Sequence, residues 1–113
     1  GLKIPAGLEG VSMMPLVKDP NRPWKKAAFH LYPRYIKGVG RGIGWAIRTS
    51  THRLVEWRVE GKDFRGYELY DQVRDPYENA NVADDPDYAG IRRDLIRQLH
   101  GGWRSALPPG VSR

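Results

Sequence analysis

Three groups of residues in this chain are of types that do chemistry. The first is its three histidines, His30, His52 and His100. Imidazole ligates metals and exchanges protons near neutral pH, but none of the three stands at HExxH or His-x-His spacing, so they read as separate surface or half-buried side chains. His30 differs in having Tyr32 and Arg34 at the following alternate positions. The second group is acidic. Asp84-Asp85 has the form of a carboxylate pair, yet it precedes Pro86 and a helical pattern, where a turn and an N-cap favoured by the helix dipole explain both acids. Glu68, Asp71, Asp75 and Glu78 read as solvent-facing. The third is the run Gly38-Val39-Gly40-Arg41-Gly42-Ile43-Gly44. It has the glycine density of a phosphate loop, but no βαβ context and no following Lys-Ser/Thr. It reads instead as part of a flexible basic loop, residues 34–44, carrying Arg34, Lys37 and Arg41. Glycine at every second position permits close backbone approach or unusual φ values.

Basic and aromatic residues also interleave: Trp24-Lys25-Lys26, Tyr32-Pro33-Arg34-Tyr35 and Trp57-Arg58. Such a mixture suits bases and phosphates. It suits sugar faces with sulfate or carboxylate groups equally, and it suits a plain core with basic edges, in which Trp45 and Trp57 would be interior. No RNP, KH or zinc-finger pattern favours nucleic acid.

The elements that must position these groups follow from periodicity. Residues 26–32 alternate as a strand that Pro33 ends. Residues 44–49 form a second strand with Trp45 and Ile47 on one face. Residues 53–59 form a third, with Val55, Trp57 and Val59 on one face and Leu54, Glu56 and Arg58 on the other; the two pair as a hairpin. Residues 67–72 form a fourth, which the Asp75-Pro76 turn follows. Asp85 and Pro86 then open a helix with an apolar stripe of Tyr88, Ile91, Leu95, Leu99 and Trp103, the remaining surface carrying Arg92, Arg93, Arg97 and Arg104. The stripe carries the helix through Gly101-Gly102. This predicts an α+β fold: a four-stranded, mostly antiparallel sheet packed by one long C-terminal helix. Residues 1–25 form an extended lead-in with one helical turn capped by Ser12, residues 26–107 the domain, and residues 108–113 a frayed tail.

With 113 residues the chain suits one small domain. No apolar run approaches the ~20 residues of a membrane span, and Gly1–Gly10 lacks the basic and apolar regions of a leader. The absence of cysteine excludes disulfides, thiolate metal sites and a cysteine nucleophile. Nineteen Lys and Arg against thirteen Asp and Glu give a formal charge of +6. That charge favours anionic partners, and is also of a size that serves solubility.

Four segments, in order, resemble one enzyme family. LEGVSMMPLVKDPNRPWKKAAF, residues 8–29, is similar to the stretch by which sulfatases enter their C-terminal subdomain. AFHLYPR, residues 28–34, resembles the "xSQYPR" segment of iduronate-2-sulfatase-like enzymes, with His30 where those enzymes often have Ser. GWAIRTSTHRLVEWR, residues 44–58, resembles their "GYSIRTxxYRYTxW", and ELYDQVRDPYENANVA, residues 68–83, the closing "ELYDLxxDPxExxNLA". The resemblance implies the C-terminal subdomain of an alkaline-phosphatase-like sulfatase fold, from an enzyme that hydrolyses sulfate esters with a formylglycine and a calcium ion. Neither the C/S-x-P-x-R motif that yields formylglycine nor the calcium-ligating acids of an N-terminal strand occur here. Both are therefore expected only in a separate catalytic core.

The resemblance further implies that this chain is inactive alone, completes the substrate pocket of that core, and contributes no catalytic or metal-binding residue. His30, Tyr32, Arg34 and Lys37 are the substrate-binding candidates, and a sulfated, uronate-containing glycan is the substrate. The parent enzyme is expected to be periplasmic or secreted. Met13, Met14, Val17 and Trp24 are expected to be partly exposed without the core, so that the isolated piece self-associates. Two rival readings rest on the charge: a stand-alone polyanion-binding module, and a nucleic-acid-binding β domain.

Overall fold

The computed structural model describes residue 5 and residues 7–111. The reading of Gly1–Gly10 as free of a leader falls partly outside them, as does the end of the 108–113 tail. A short helix, α1 (Met14–Lys18), precedes four strands: β1 (Ala28–Ile36), β2 (Gly40–Arg48), β3 (His52–Val59) and β4 (Arg65–Asp71). The strands form one antiparallel meander in sequence order. A 3-10 turn (Pro86–Tyr88) leads into the long helix α2 (Ala89–Gly101), and a second 3-10 turn spans Trp103–Ala106. This is the expected α+β architecture. No helix among the described residues is long and apolar enough to cross a membrane.

Strand alternation gives the sheet two unlike faces. On one, Ile47, Leu54 and Leu69 are cross-strand neighbours and fully buried. Leu95 and Leu99 of α2 close over them, with Ala27, Ala83 and Ala106 at the margins. Burying each such leucine contributes about 1.5–3 kcal/mol. The helix covers only that half. On the same face but toward the β1–β2 turn, Trp45 pairs with Leu31 and Ile43 pairs with Pro33. There Leu31 is 55% exposed, Ile43 43%, Trp45 38% and Tyr35 74%.

Several sequence expectations are corrected. Pro33 lies inside β1 rather than ending it; β1 is an edge strand, where proline is tolerated because one row of donors has no partner. The basic loop expected over 34–44 is instead strand, a tight turn at 37–39, and strand again. Val39 N–H donates to Ile36 O at 3.0 Å, and Gly38 and Gly40 take φ of 77° and 129°. Trp45 is not interior. In α2, Ile91 faces out and Arg92 takes its place inward, its guanidinium over the Tyr67 ring at 5.2 Å and donating to Ala83 O at 2.5 Å. The helix does not continue through the glycines. Gly102, with φ 72°, caps it by donating to Leu99 O at 3.1 Å, a position that favours glycine. Pro108, assigned to the frayed tail, is buried.

Asp85 caps as read, accepting from Asp87 N–H at 2.9 Å with Pro86 next, but what it opens is the 3-10 turn; α2 itself begins at Ala89 with no side-chain cap. Ser12 accepts from Met14 N–H at 3.3 Å beside α1, in which no residue is buried. Met13, Met14 and Val17 are exposed and Trp24 is half-buried.

Candidate functional site

The face opposite α2 carries the predicted site. His30, Tyr32 and Arg34 occupy alternate positions of β1 and so share this face; all three are exposed. His30 and Tyr32 stack loosely, ring centroids 6.2 Å apart and planes at 24°. Lys37 stands apart from them in the turn after β1, exposed. The structure thus brings three of the four candidates into one row and leaves the fourth at its end.

Beside this row lie the alternate glycines of β2. Gly42 and Gly44 are there for close approach. A Cβ on Gly44 would fall 2.9 Å from Cη2 of Trp57, and one on Gly42 2.7 Å from Cδ1 of Ile36. Trp57, opposite Gly44 in register, therefore reaches across β2 toward β1. Its ring centroid lies 5.8 Å from the Arg34 guanidinium carbon, within cation–π range. Trp57 Nε1–H donates to Glu68 Oε1 at 2.9 Å, and the Tyr70 hydroxyl donates to Glu68 Oε2 at 3.0 Å. Among the described residues, no acid pairs with Arg34, Lys37 or Arg41.

Glu68, Asp71, Asp75 and Glu78 are not the free solvent-facing groups their sequence suggests. Glu78 pairs with Arg53, whose Nε donates at 2.7 Å, and accepts from Gln72; the Arg53 hydrogen bond holds its carboxyl below the ordinary range. Asp71 accepts from the backbone of Val73 and Arg74 and from the Tyr88 hydroxyl at 2.9 Å, and its pKa is lowered, chiefly by the Arg74 N–H. Asp75 accepts from Asn79 and from Ala80 N–H, the latter chiefly lowering its pKa. Asn81 accepts from Leu69 and Ala83 N–H and donates to Tyr67 O. Asp84 is fully exposed, touching only Arg92; with Asp85 capping, the pair is no carboxylate dyad.

Glu56 is the one functional-looking group the sequence did not single out. It is fully buried, and accepts from Arg58, from Arg65 at 2.6 Å and from His100 Nε2 at 2.7 Å. Burial pushes its carboxyl up, but the hydrogen bonds from Arg58 and His100 outweigh that and leave its pKa below the ordinary value. Its position on the Leu54 face of a central strand was the available signal: a charge at an inward position must be paired.

The histidines are dispersed as expected: His30 on β1, His100 on Glu56, and His52 with Nε2 3.9 Å from Asp71. Among the described residues, no three of His, Asp and Glu stand together so as to hold a metal ion. With the formylglycine motif also missing from the sequence, the residues present fit neither group. The open cleft beside β1, about 720 Å³, is mainly apolar, with Phe29, Leu31, Trp45, Leu99 and Trp103 in its lining.

The site is thus a cationic row on one face of an antiparallel meander whose other face is packed by a helix. Residues 1–104 match the family described as N-sulphoglucosamine sulphohydrolase, C-terminal, and the chain belongs to that family of sulfatase C-terminal domains. It is 26% identical over 102 residues to an N-acetylglucosamine-6-O-sulfatase of Bacteroides thetaiotaomicron, covering 88% of this chain and 18% of the relative. It is 32% identical over 95 residues to a Delta 4,5-hexuronate-2-O-sulfatase of the same organism, covering 80% and 18%. An ulvan-active sulfatase of Formosa agariphila matches at 26% over 100 residues, covering 88% and 19%. A solved protein in complex with its substrate, D-glucosamine-2-N,6-O-disulfate, superposes with a TM-score of 0.69 at 25% identity, covering 88% of this chain and 20% of that one. The chain therefore spans about a fifth of the length of the relatives it matches.

Proposed function

We propose that this chain is the substrate-recognition part of a sulfatase acting on sulfated sugars. Its β1 row and following turn, His30, Tyr32, Arg34 and Lys37, complete a pocket whose chemistry is supplied by a separate catalytic core. The observation that carries this is the hairpin's charge state: Arg34, Lys37 and Arg41 are exposed and have no acid partner among the described residues, while Arg53, Arg58 and Arg65 elsewhere in the sheet are paired with Glu78 or Glu56. A guanidinium and an ammonium beside a tyrosine ring suit a sugar bearing sulfate or carboxylate. Relatives named for sugar sulfates support the class; the hexuronate-2-O-sulfatase among them favours a uronate 2-sulfate, the iduronate-2-sulfatase-like specificity, within it.

The core would hold the formylglycine and the calcium ion, which together offset charge on the transferring sulfuryl group. The parent enzyme would be exported to its glycan. Titration of the isotopically labelled chain with D-glucosamine-2-N,6-O-disulfate should shift the resonances of His30, Tyr32, Arg34 and Lys37 at millimolar ligand. The desulfated sugar should not shift them, and an aryl sulfate should not be turned over. Equal shifts with single-stranded DNA of matched charge, with the same salt slope, would overturn the sugar reading in favour of a general polyanion binder. Turnover above a no-protein control would overturn the division of labour.

A further inference from the structure

The contacts behind Arg34 form a device of their own. Trp57 is fixed on two sides. Gly44 gives its ring room that any side chain would fill, since a Cβ there would fall 2.9 Å from Cη2. Glu68 holds its indole N–H at 2.9 Å, and Glu68 is itself held by the Tyr70 hydroxyl at 3.0 Å. Tyr70 is in turn covered by Arg53, 4.9 Å from its ring centroid, and Arg53 is locked to Glu78. The free edge of this assembly is the Trp57 face toward Arg34, 5.8 Å from the guanidinium carbon. An exposed arginine without an acid partner ordinarily samples many rotamers, and ordering one on ligand binding costs roughly 0.5–1.5 kcal/mol. A ring held in place by a buried-side clamp removes part of that cost in advance, and leaves the fork of N–H donors available because an aromatic face, unlike a carboxylate, takes up none of them.

We propose that Trp57, seated on Gly44 and clamped by Glu68, is a positioning residue that pre-orders the Arg34 guanidinium for a sulfate or carboxylate group of an anionic sugar. This rests on the reading of Arg34 as a sugar contact, but the positioning itself has a readout that needs no ligand. In the free 113-residue chain, relaxation of the Arg34 Nε–Hε resonance reports its order. Arg34 should be more ordered than Arg41, which has no such ring. Trp57→Leu should release it to the mobility of Arg41. Glu68→Ala should loosen it, and Glu68→Gln, which retains an acceptor for the indole N–H, should restore it. Trp57→Phe, which keeps an aromatic face and loses only the clamp, serves where the leucine variant fails to fold.

Affinity for D-glucosamine-2-N,6-O-disulfate should follow the same order, weakening by about two- to tenfold in the released variants, the size of the ordering cost restored. An Arg34 equally mobile in the parent and in every Trp57 variant overturns the positioning role, whatever the affinities. An Arg34 that is ordered and released as stated, in a chain where Arg34→Ala leaves affinity for the disulfate unchanged, overturns the sugar contact instead and with it the purpose assigned to the device.

Discussion

Residues 68–88 and the β1–β2 hairpin are both polar and both recognisable in the sequence, but their polar groups are used differently. In the first, Glu68, Asp71, Asp75, Glu78 and Asn81 each meet a partner within the domain: an indole N–H, turn amides, an arginine, or the β4 backbone. In the second, His30, Tyr32, Arg34, Lys37 and Arg41 face solvent and no acid among the described residues answers them. The signature that ties the chain to its family is thus a clasp joining β4 to α2. A motif of this kind is recognisable because the fold requires each member. On the proposed reading, the exposed side chains of the hairpin serve what it meets outside. Acid and amide changes in the clasped part should therefore cost stability, and basic changes in the hairpin should cost binding.

The largest effect should come from Glu56, the most deeply committed acid. Glu56→Ala leaves Arg58, Arg65 and His100 gathered without an anion between them, and removing one member of a buried pair costs about 3–5 kcal/mol. Arg58, Arg65 and His100 keep partial contact with water, which places the loss toward the lower figure. Urea unfolding should show it as a lowered midpoint at unchanged slope. An unchanged midpoint would mean that this buried carboxylate is not what ties α2 to the sheet.

A smaller loss should appear in acid. Asp71, Asp75 and Glu78 have folded pKa values below the ordinary 3.8 and 4.5. A carboxyl with a depressed folded pKa favours the folded state above its ordinary pKa, and that contribution disappears as pH falls through the folded value. Stability should be level from about pH 7 down to about pH 5 in these groups' contribution, and fall below that. Glu78→Gln, which removes one of these titrations, should flatten the acid limb while lowering stability at neutral pH. An acid limb that does not change with Glu78→Gln would place the titration elsewhere and weaken the contrast between the two regions.

Much of the clasp was legible locally and its purpose was not. Asp85 and Pro86 announce the helix start because a cap is a contact between residues two apart, and the strands announce themselves through period-two alternation. Glu68, Asp71 and Glu78 looked solvent-facing because their partners, Trp57, Tyr88 and Arg53, lie 11, 17 and 25 residues away. The glycines of β2 were marked as sites of close approach, yet which ring fills the space is decided by cross-strand register. Pro33 reads locally as a strand end because its place on the outer edge of the sheet is a tertiary fact. The inward turn of Arg92 in place of Ile91 depends on Tyr67 offering a ring. The candidate site fared in the same way. The row His30, Tyr32, Arg34 was visible as alternation, and the support behind Arg34 was not, since it is assembled from β2, β3 and β4.

The smallest expected effect is the one that most sharpens the contrast. Arg34→Ala and Lys37→Ala should each change folding stability by no more than about 0.5 kcal/mol, as for surface groups outside any network. Arg34 stacks on Trp57 and Lys37 lies in a turn, and neither takes part in the ion pairs that close the domain. The double variant should retain the parent's thermal midpoint, and its acid limb should be unchanged, because the carboxylates responsible are paired elsewhere. Its salt dependence on a sulfated oligosaccharide should be shallower, by the loss of about two charge contacts. A marked fall in stability would mean that these residues are part of the fold after all and that the hairpin, like the signature, is built for closure. An unchanged midpoint with a reduced salt slope would separate the two roles by region. On that outcome the family is recognisable in residues the domain needs in order to fold, and binding is carried by residues it can fold without.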